Sequence, residues 1–180
     1  MSNILIVTGS ARELSVGNKI ATIVQEELQN YDDVTATIAN LKEIDLPFFD
    51  NETAPSAPNF STSNEKVLSW TKMVADADTV LLLMPEYNHS LSGIQKNAID
   101  WISAEWNEKP VSIIGYGWGG AALAHITAKE VFSNLKAKLL PTTTHLHFMK
   151  QLNPDGSAVD GQDIAEQIKL TLDELVGNLK

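Results

Sequence analysis

The chain has 180 residues, of which 43% are hydrophobic and 20% are charged, and this composition is typical of one globular domain with a sizeable core. Its 13 basic and 23 acidic residues give a formal net charge of -10. Such a surface repels nucleic acid and anionic membranes, and we expect neither as a partner. The chain has no cysteine, which excludes disulfides, thiol nucleophiles and cysteine-ligated zinc or iron–sulfur sites.

The sequence pattern of the first part of the chain predicts a strand, a helix, a second strand and a loop. The continuous apolar run at residues 4–7 predicts a strand buried on both faces. Apolar residues at helical spacing predict a helix over 16–29, and residues 34–38 predict a second strand. Residues 43–63 carry three prolines among Ser, Thr and Asn, which predicts a long loop of the kind that forms a lid or a partner surface.

The middle of the chain repeats the alternation. Apolar residues at helical spacing predict a helix over 67–77, and residues 79–84 predict a third strand. Pro85 ends the hydrogen-bond ladder of this strand, because it has no N–H to donate. A helix is predicted from about 91 to 106, with Trp101 on its apolar side, and residues 111–114 predict a fourth strand.

The last part predicts a helix, a fifth strand within 139–148 and an amphipathic helix at 164–176. The first of these helices is indicated by Leu123, Ile126, Val131 and Leu135. Five strands separated by helices predict an α/β fold, a doubly wound parallel sheet whose right-handed crossovers place helices on both faces. The flavodoxin-like strand order 2-1-3-4-5 is the leading candidate, and we expect residues 1–180 to form a single domain.

No apolar run reaches the roughly 18 residues that a membrane-spanning helix needs. The first residues also lack the basic region and apolar segment of a secretion signal, so we expect a cytoplasmic protein.

The loop after the first strand is suited to phosphate. Between Thr8 and Asn18 it offers three hydroxyl groups and the guanidinium of Arg12, directly before a helix whose amino end favours an anion. It matches neither the P-loop nor the GxGxxG pattern. The alternative is helix capping by Ser15 or Asn18 beside a solvated Arg12.

Two more loops follow neighbouring strands of the predicted sheet. Residues 85–90 are polar, aromatic and rich in hydrogen-bond donors, although an ordinary strand-to-helix turn would also explain them. Within this loop Glu86 either orients Asn88 or caps backbone amides. Residues 115–120 include four glycines, and their two aromatic side chains either flank a planar ring or pack on the core. Together the three loops could hold a phosphorylated planar heterocycle.

Two histidines, His145 and His147, lie two residues apart on a predicted strand and so share a face. Because no third ligand is evident, we predict no metal site. A serine hydrolase is also disfavoured, since the chain has no Gly-x-Ser-x-Gly elbow.

Several short motifs occur in order between residues 4 and about 120. They are Gly9-Ser10-x-Arg12, Asp45-Leu46-Pro47, Pro85-Glu86-Tyr87-Asn88-x-Ser90 and Lys96-Asn97-Ala98-Ile99-Asp100-Trp101, followed by Lys109-Pro110. In these motifs the chain resembles the NADPH-dependent FMN reductase family, which includes quinone, azo-dye and chromate reductases of flavodoxin-like fold. The resemblance implies FMN as cofactor and NADPH, with NADH as an alternative, as electron donor.

The resemblance also implies where FMN would bind. The phosphate falls on the first loop, at Gly9, Ser10, Arg12, Ser15, Val16, Gly17 and Asn18. The ribityl chain and one edge of the ring fall on Pro85, Glu86, Tyr87, Asn88, His89 and Ser90. The other edge of the ring falls on Gly115, Tyr116, Gly117, Trp118 and Gly119.

The chain departs from the family pattern at two of these positions. His89 stands where glycine is common, and Trp118 stands where many members have a smaller residue. His89 either donates to an anionic substrate or lies on the rim of the site, and we favour the rim.

The resemblance implies a ping-pong cycle, in which NADPH passes hydride to N5 of FMN and a small acceptor then replaces the nicotinamide. Backbone amides of residues 86–89 or 115–119 would stabilise negative charge near N1. No side chain need act as acid or base, and Tyr87 is the side chain expected nearest the ring. An alternative is a flavodoxin-like electron carrier that acts through protein partners, which would suit the acidic charge but not Arg12.

The family commonly forms dimers or tetramers, so a homodimer or homotetramer is implied. Trp101, Trp106 and residues 43–63 are candidates for the contact between subunits, with burial in the core as the alternative for Trp101.

Overall fold

Five parallel strands form one sheet in the order β2-β1-β3-β4-β5 in the computed structural model, which describes residues 1–179 and leaves Lys180 outside. The strands are β1 (Ser2–Thr8), β2 (Val34–Asn40), β3 (Thr79–Pro85), β4 (Pro110–Gly117) and β5 (Lys138–His147). Every pair of neighbouring strands is parallel. The predicted doubly wound fold and its strand order are confirmed.

Helices cover both faces of this sheet. They are α1 (Val16–Leu28), α2 (Leu41–Ile44), α3 (Glu65–Asp76), α4 (Gly93–Asp100), α5 (Ala122–Asn134) and α6 (Ile164–Gly177). The core on one face is built with α1 and α6, and the core on the other face with α3, α4 and α5. No helix of the described residues is long and apolar enough to cross a membrane.

The central strands are buried on both sides, which explains their unbroken aliphatic sequences. In β1, Ile4 and Ile6 pack in the core with α1 and α6, whereas Leu5 and Val7 pack in the core with α3, α4 and α5. All seven residues of β3 are buried. A parallel sheet covered by helices on both faces needs apolar side chains at consecutive positions.

The helix predicted over 91–106 is shorter than expected, because α4 ends at Asp100 and only a 3-10 turn follows at Ala104–Trp106. The Trp101 and Trp106 side chains are 2% and 0% exposed. Their proposed place in a subunit contact is therefore wrong, and the alternative of core burial is right for Trp101.

The motif at residues 96–101 holds the start of the long loop. The Asn97 side chain donates to Pro47 O at 2.8 Å and accepts from Phe49 N at 2.9 Å. The Trp101 indole donates to the same Pro47 O at 2.7 Å and packs edge-to-face on Phe49. These contacts end α4 where the sequence pattern would continue it, and they join two of the motifs quoted above.

Helix α5 forms as predicted but packs through other residues. Leu123 and Ile126 are 43% and 61% exposed, whereas Ala124, Ala128 and Phe132 are completely buried. Two alanines on the buried face let α5 lie close to the sheet, and they leave larger apolar side chains in solvent.

Candidate active site

A cleft of about 660 Å³ lies where the loops after β1, β3 and β4 meet. This volume is within the usual range for a small-molecule site. The cleft is lined by Ser10, Arg12, Glu13, Leu14, Val16, Pro85, Glu86, Tyr87, Tyr116, Gly117, Trp118, Phe148 and Pro154. The three loops singled out in the sequence therefore converge, because the carboxyl ends of β1, β3 and β4 lie side by side.

One end of the cleft is formed by the amino end of α1, where hydrogen-bond donors are left without acceptors. Ser15 occupies the N-cap position, but its side chain makes no capping bond, and its buried Oγ has no partner among the described residues. The first turn of α1 carries no acidic side chain. In the part of the chain that the structure describes, the guanidinium of Arg12 makes no ion pair. Unpaired amides and a positive helix end are the features of an anion site.

Tyr116 adds a buried hydroxyl to this end of the cleft. Its side chain is 4% exposed, and its Oη faces the Ser15 hydroxyl and the Gly17 backbone without making a hydrogen bond of good geometry within residues 1–179. A Cβ atom at position 17 would lie 2.7 Å from this oxygen, which explains why Gly17 has no side chain. Burial raises the pKa of Tyr116, so the phenol stays protonated and can donate. Tyr116 lines the cleft while its hydroxyl reaches α1, and its place against a planar ring stays a prediction.

A hydroxyl pair links the first two loops. Ser10 Oγ and Tyr87 Oη are 3.0 Å apart, and the Arg12 amide donates to Ser10 Oγ at 3.3 Å. Ser10 is 3% exposed, whereas Tyr87 is 36% exposed. Tyr87 therefore spans from the second loop towards the first along the wall of the cleft.

The second loop is a tight turn closed by two backbone hydrogen bonds. Tyr87 and Ser90 exchange them at 3.0 and 3.1 Å. Asn88 and His89, the two residues between, have φ angles of 50° and 64°. Positive φ at both central positions is typical of a type I′ turn, where glycine fits best and asparagine and histidine are tolerated. The exposed His89 lies at the turn, outside the lining of the cleft.

Glu86 fixes the second loop to α5. Its Oε2 accepts from Leu123 N at 2.9 Å and from Ala124 N at 3.1 Å. The N-cap residue of α5, Ala121, has no side chain that could satisfy these amides. The expectation that Glu86 caps backbone amides is confirmed, and the favourable position of a carboxylate at a helix amino end explains its presence.

The third loop is shorter than its sequence suggests. Gly115 and Tyr116 belong to β4, which runs to Gly117, so they pair with β5 and do not form a free loop. Trp118 is 73% exposed, and its ring meets that of Phe148 edge-to-face at 5.6 Å. The amides of Trp118 and Gly119 donate no hydrogen bond within the described residues.

The structure brings half of the expected site residues to the wall of the cleft. They are Ser10, Arg12, Val16, Pro85, Glu86, Tyr87, Tyr116, Gly117 and Trp118. The others lie beside or beneath it, and they are Gly9, Ser15, Gly17, Asn18, Asn88, His89, Ser90, Gly115 and Gly119. Glu13, Leu14, Phe148 and Pro154 also line the cleft and were not expected there from the sequence. Phe148 could have been found, since it directly follows β5, the strand next to β4.

The His145 side chain of β5 is held by contacts with the loop after β4 and with α5. His145 Nδ1 lies 2.7 Å from Gly120 O, and the His145 ring stacks on His125 of α5 at 5.7 Å. Among residues 1–179 the structure has no group of three or more side chains that could hold a metal ion.

A flavodoxin-like sheet with an anion-accepting loop after β1 and an aromatic cleft beside it defines a class of nucleotide-binding α/β proteins. Within that class the chain belongs to the NADPH-dependent FMN reductase family, whose sequence model matches residues 2–150. The family predicted from the motifs is thus confirmed, and with it an oxidoreductase that depends on FMN and NAD(P)H.

Individual proteins agree with this assignment. An NAD(P)H-dependent FMN reductase of Nectria sp is 30% identical over 155 residues, which are 82% of this chain and 76% of the relative. An FMN-dependent NADPH-azoreductase of Staphylococcus haemolyticus is 29% identical over 179 residues, 96% of this chain and 92% of the relative. The solved structure of FerB, a flavoenzyme NAD(P)H:(acceptor) oxidoreductase of Paracoccus denitrificans, has a TM-score of 0.72 at 25% identity, covering 99% of this chain and 95% of that one.

Proposed function

We propose that this protein transfers hydride from NADPH, with NADH as an alternative donor, through bound FMN to quinone-like or other small acceptors in a ping-pong cycle. One observation carries the proposal: a phosphate-sized group of unpaired donors lies at one end of a cleft whose other surfaces are largely aromatic and aliphatic. This combination suits a cofactor with a phosphate at one end and a planar ring at the other.

The residues present fit the phosphate of FMN. Ser15 Oγ and Tyr116 Oη are buried, face each other and make no hydrogen bond of good geometry, and a buried hydroxyl of this kind costs free energy until it finds a partner. Phosphate oxygens accept several hydrogen bonds, so they would satisfy both hydroxyls together with the α1 amides. Arg12 would add a charge-assisted bond from the exposed side.

The ring of FMN would lie between the second and third loops. Bound FMN supplies hydride acceptance from NAD(P)H and hydride donation to the acceptor. The unpaired amides of Trp118 and Gly119 are available to an oxygen that gains negative charge, as in an oxyanion hole. Tyr87, held by Ser10, forms a fixed wall beside this space, and no side chain is required as acid or base.

The outer part of the cleft suits flat, weakly polar acceptors. Leu14 and Trp118 are 94% and 73% exposed, and Phe148 stands beside Trp118. Aromatic faces of this type stack favourably on planar rings. Quinones, free flavins and azo dyes fit this description, and chromate remains an acceptor to be tested. A relative from Burkholderia sp is named a 2-hydroxy-1,4-benzoquinone reductase.

We also propose a homodimer or homotetramer of single-domain subunits in the cytoplasm. The large exposed apolar side chains of Leu14 and Trp118 at the cleft, and of Phe48 elsewhere, support an association of subunits, because exposed apolar surface often marks an interaction site. Phe48 belongs to the 43–63 segment, which stays a candidate for the contact. Light scattering on the purified protein tests the subunit number.

The function is tested with the visible spectrum of the protein after FMN is added, followed by NADPH in the absence of oxygen. We expect bound yellow flavin that bleaches rapidly and recovers when a quinone is added. Bound flavin that stays oxidised with both NADPH and NADH would favour the electron carrier. Protein that binds no flavin would refute the cofactor assignment for this cleft.

A further inference from the structure

Gln95 is a buried polar side chain that the proposed function does not use. It lies in the first turn of α4 and is 1% exposed. Its backbone amide donates to the N-cap residue, Ser92 Oγ, at 3.3 Å. The sequence Ser92-Gly93-Ile94-Gln95 is that of a capping box, in which the glutamine side chain normally returns to the amide of the N-cap serine.

In this protein the glutamine side chain goes elsewhere. Gln95 Nε2 donates to Leu83 O of β3 at 3.1 Å, twelve residues back along the chain. Its Oε1 is buried and has no hydrogen-bond partner among the described residues. Packing alone would be met by methionine or leucine, which bring no unpaired acceptor. The presence of an amide at residue 95 therefore indicates a role at the residues that this amide contacts.

That position is the beginning of the phosphate loop. The carboxamide of Gln95 occupies the space in which a side chain on residue 9 would lie, so Gly9 packs its backbone directly on the amide. Gly9 immediately follows Thr8, which pairs with Leu83 in the β1–β3 register. One side chain thus contacts the ends of both strands from which the first two loops of the cleft depart.

The two loops are joined again beyond this point by the hydroxyls of Ser10 and Tyr87, 3.0 Å apart. Ser10 follows Gly9, and Tyr87 lies four residues after Leu83. A small displacement of Gly9 relative to Leu83 would therefore be carried into this pair and into the donors that follow it. Sites of this kind depend on residues that fix the spacing of their binding loops.

We propose that Gln95 is a positioning residue for FMN: its amide sets the separation of the phosphate loop from the Pro85–Ser90 loop. The inference rests on the proposed function, because it concerns the same cleft. It predicts that loss of the amide weakens FMN binding by more than its effect on folding explains.

The test compares Gln95→Met with Gln25→Met. Gln25 controls for the loss of a glutamine bond to a strand carbonyl, because its Nε2 donates to Ala36 O at 3.0 Å and it does not line the cleft, although it is partly exposed where Gln95 is buried. The urea midpoint of the apoprotein and the FMN dissociation constant, from quenching of flavin fluorescence, are measured for both variants. The change in each midpoint gives the effect of that substitution on folding alone. FMN binding should weaken at least tenfold for Gln95→Met and stay within twofold of wild type for Gln25→Met.

A dissociation constant of Gln95→Met within twofold of wild type would overturn the inference and leave Gln95 a purely structural residue. Wild-type protein that binds no FMN would instead refute the proposed function first. If Gln95→Met does not fold, Gln95→Leu, which also removes the amide, is compared with Gln25→Leu by the same two measurements, with the same outcomes.

Discussion

Removal of the Tyr116 hydroxyl should change stability and FMN affinity in opposite directions. The oxygen is buried and faces Ser15 and Gly17 without a hydrogen bond of good geometry, and a buried polar group that lacks one costs about 1–3 kcal/mol. Tyr116→Phe should therefore raise the free energy of unfolding of the apoprotein by about 1 kcal/mol, the lower end of that range. A hydrogen bond to a charged acceptor contributes about 1.5–3 kcal/mol, so FMN should bind roughly 10- to 150-fold more weakly.

Urea unfolding of the apoprotein and titration of FMN fluorescence give the two quantities. Tyr31→Phe is the matched control, because the Tyr31 hydroxyl has a partner, Asp173 Oδ1, at 2.6 Å. This control should gain no stability and should bind FMN as wild type does. The reasoning is refuted if Tyr116→Phe lowers the stability of the apoprotein while FMN affinity is unchanged, since the hydroxyl would then be a structural group.

Three further changes test other parts of the molecule. His89→Gly replaces a residue with φ of 64°, so the free energy of unfolding in urea should rise by up to about 1 kcal/mol, and a clear fall would contradict the turn geometry. Asn97→Ala removes two hydrogen bonds to the 47–49 segment and should cost about 2–3 kcal/mol, with FMN affinity within about twofold of wild type; an equal loss of FMN affinity would contradict a purely structural role. His125→Gln tests the pH dependence of stability. Burial first, and then His145, lower the pKa of His125 from 6.5, so that as the pH falls the unfolded chain is protonated at this residue before the folded protein is. The contribution of neutral His125 to the free energy of unfolding is fully present above the pKa of the unfolded chain and is lost as the pH falls below about 6.5. The melting temperature should therefore decrease less between pH 7.5 and pH 5.5 for His125→Gln than for wild type, and equal decreases would exclude this contribution.

The sheet could be predicted from sequence because its signals are local. The run Thr79–Pro85 is apolar throughout, and a strand that needs no polar face must be covered on both sides. Once the strands are parallel, right-handed crossovers leave few topologies, and the loop after β1 selects one of them. The loop proposed for phosphate could be singled out for a similar reason, since its hydroxyls and Arg12 lie within one short segment of the chain.

Other features depend on contacts between distant residues. The apolar residues at helical spacing in 91–106 continue past Asp100, and the contacts of Asn97 and Trp101 with the 47–49 segment are visible only in the structure. The buried face of α5 was misjudged because alanine gives a weak hydrophobic signal even where close packing requires it. Phe148 was missed because its place beside Trp118 follows from the pairing of β4 with β5, and not from any motif.

The residues that hold the loops together are the least visible in the sequence, although they decide the geometry of the cleft. Glu86 reaches the amides of Leu123 and Ala124, and Gln95 reaches Leu83 and Gly9. Each of these side chains also fits an ordinary local role, as a turn residue or as half of a capping box. The donors that face the cleft lie close together in the chain and can be inferred from one segment. The hydrogen bonds that position them join distant segments, so they can be recognised only once the arrangement of the strands is known.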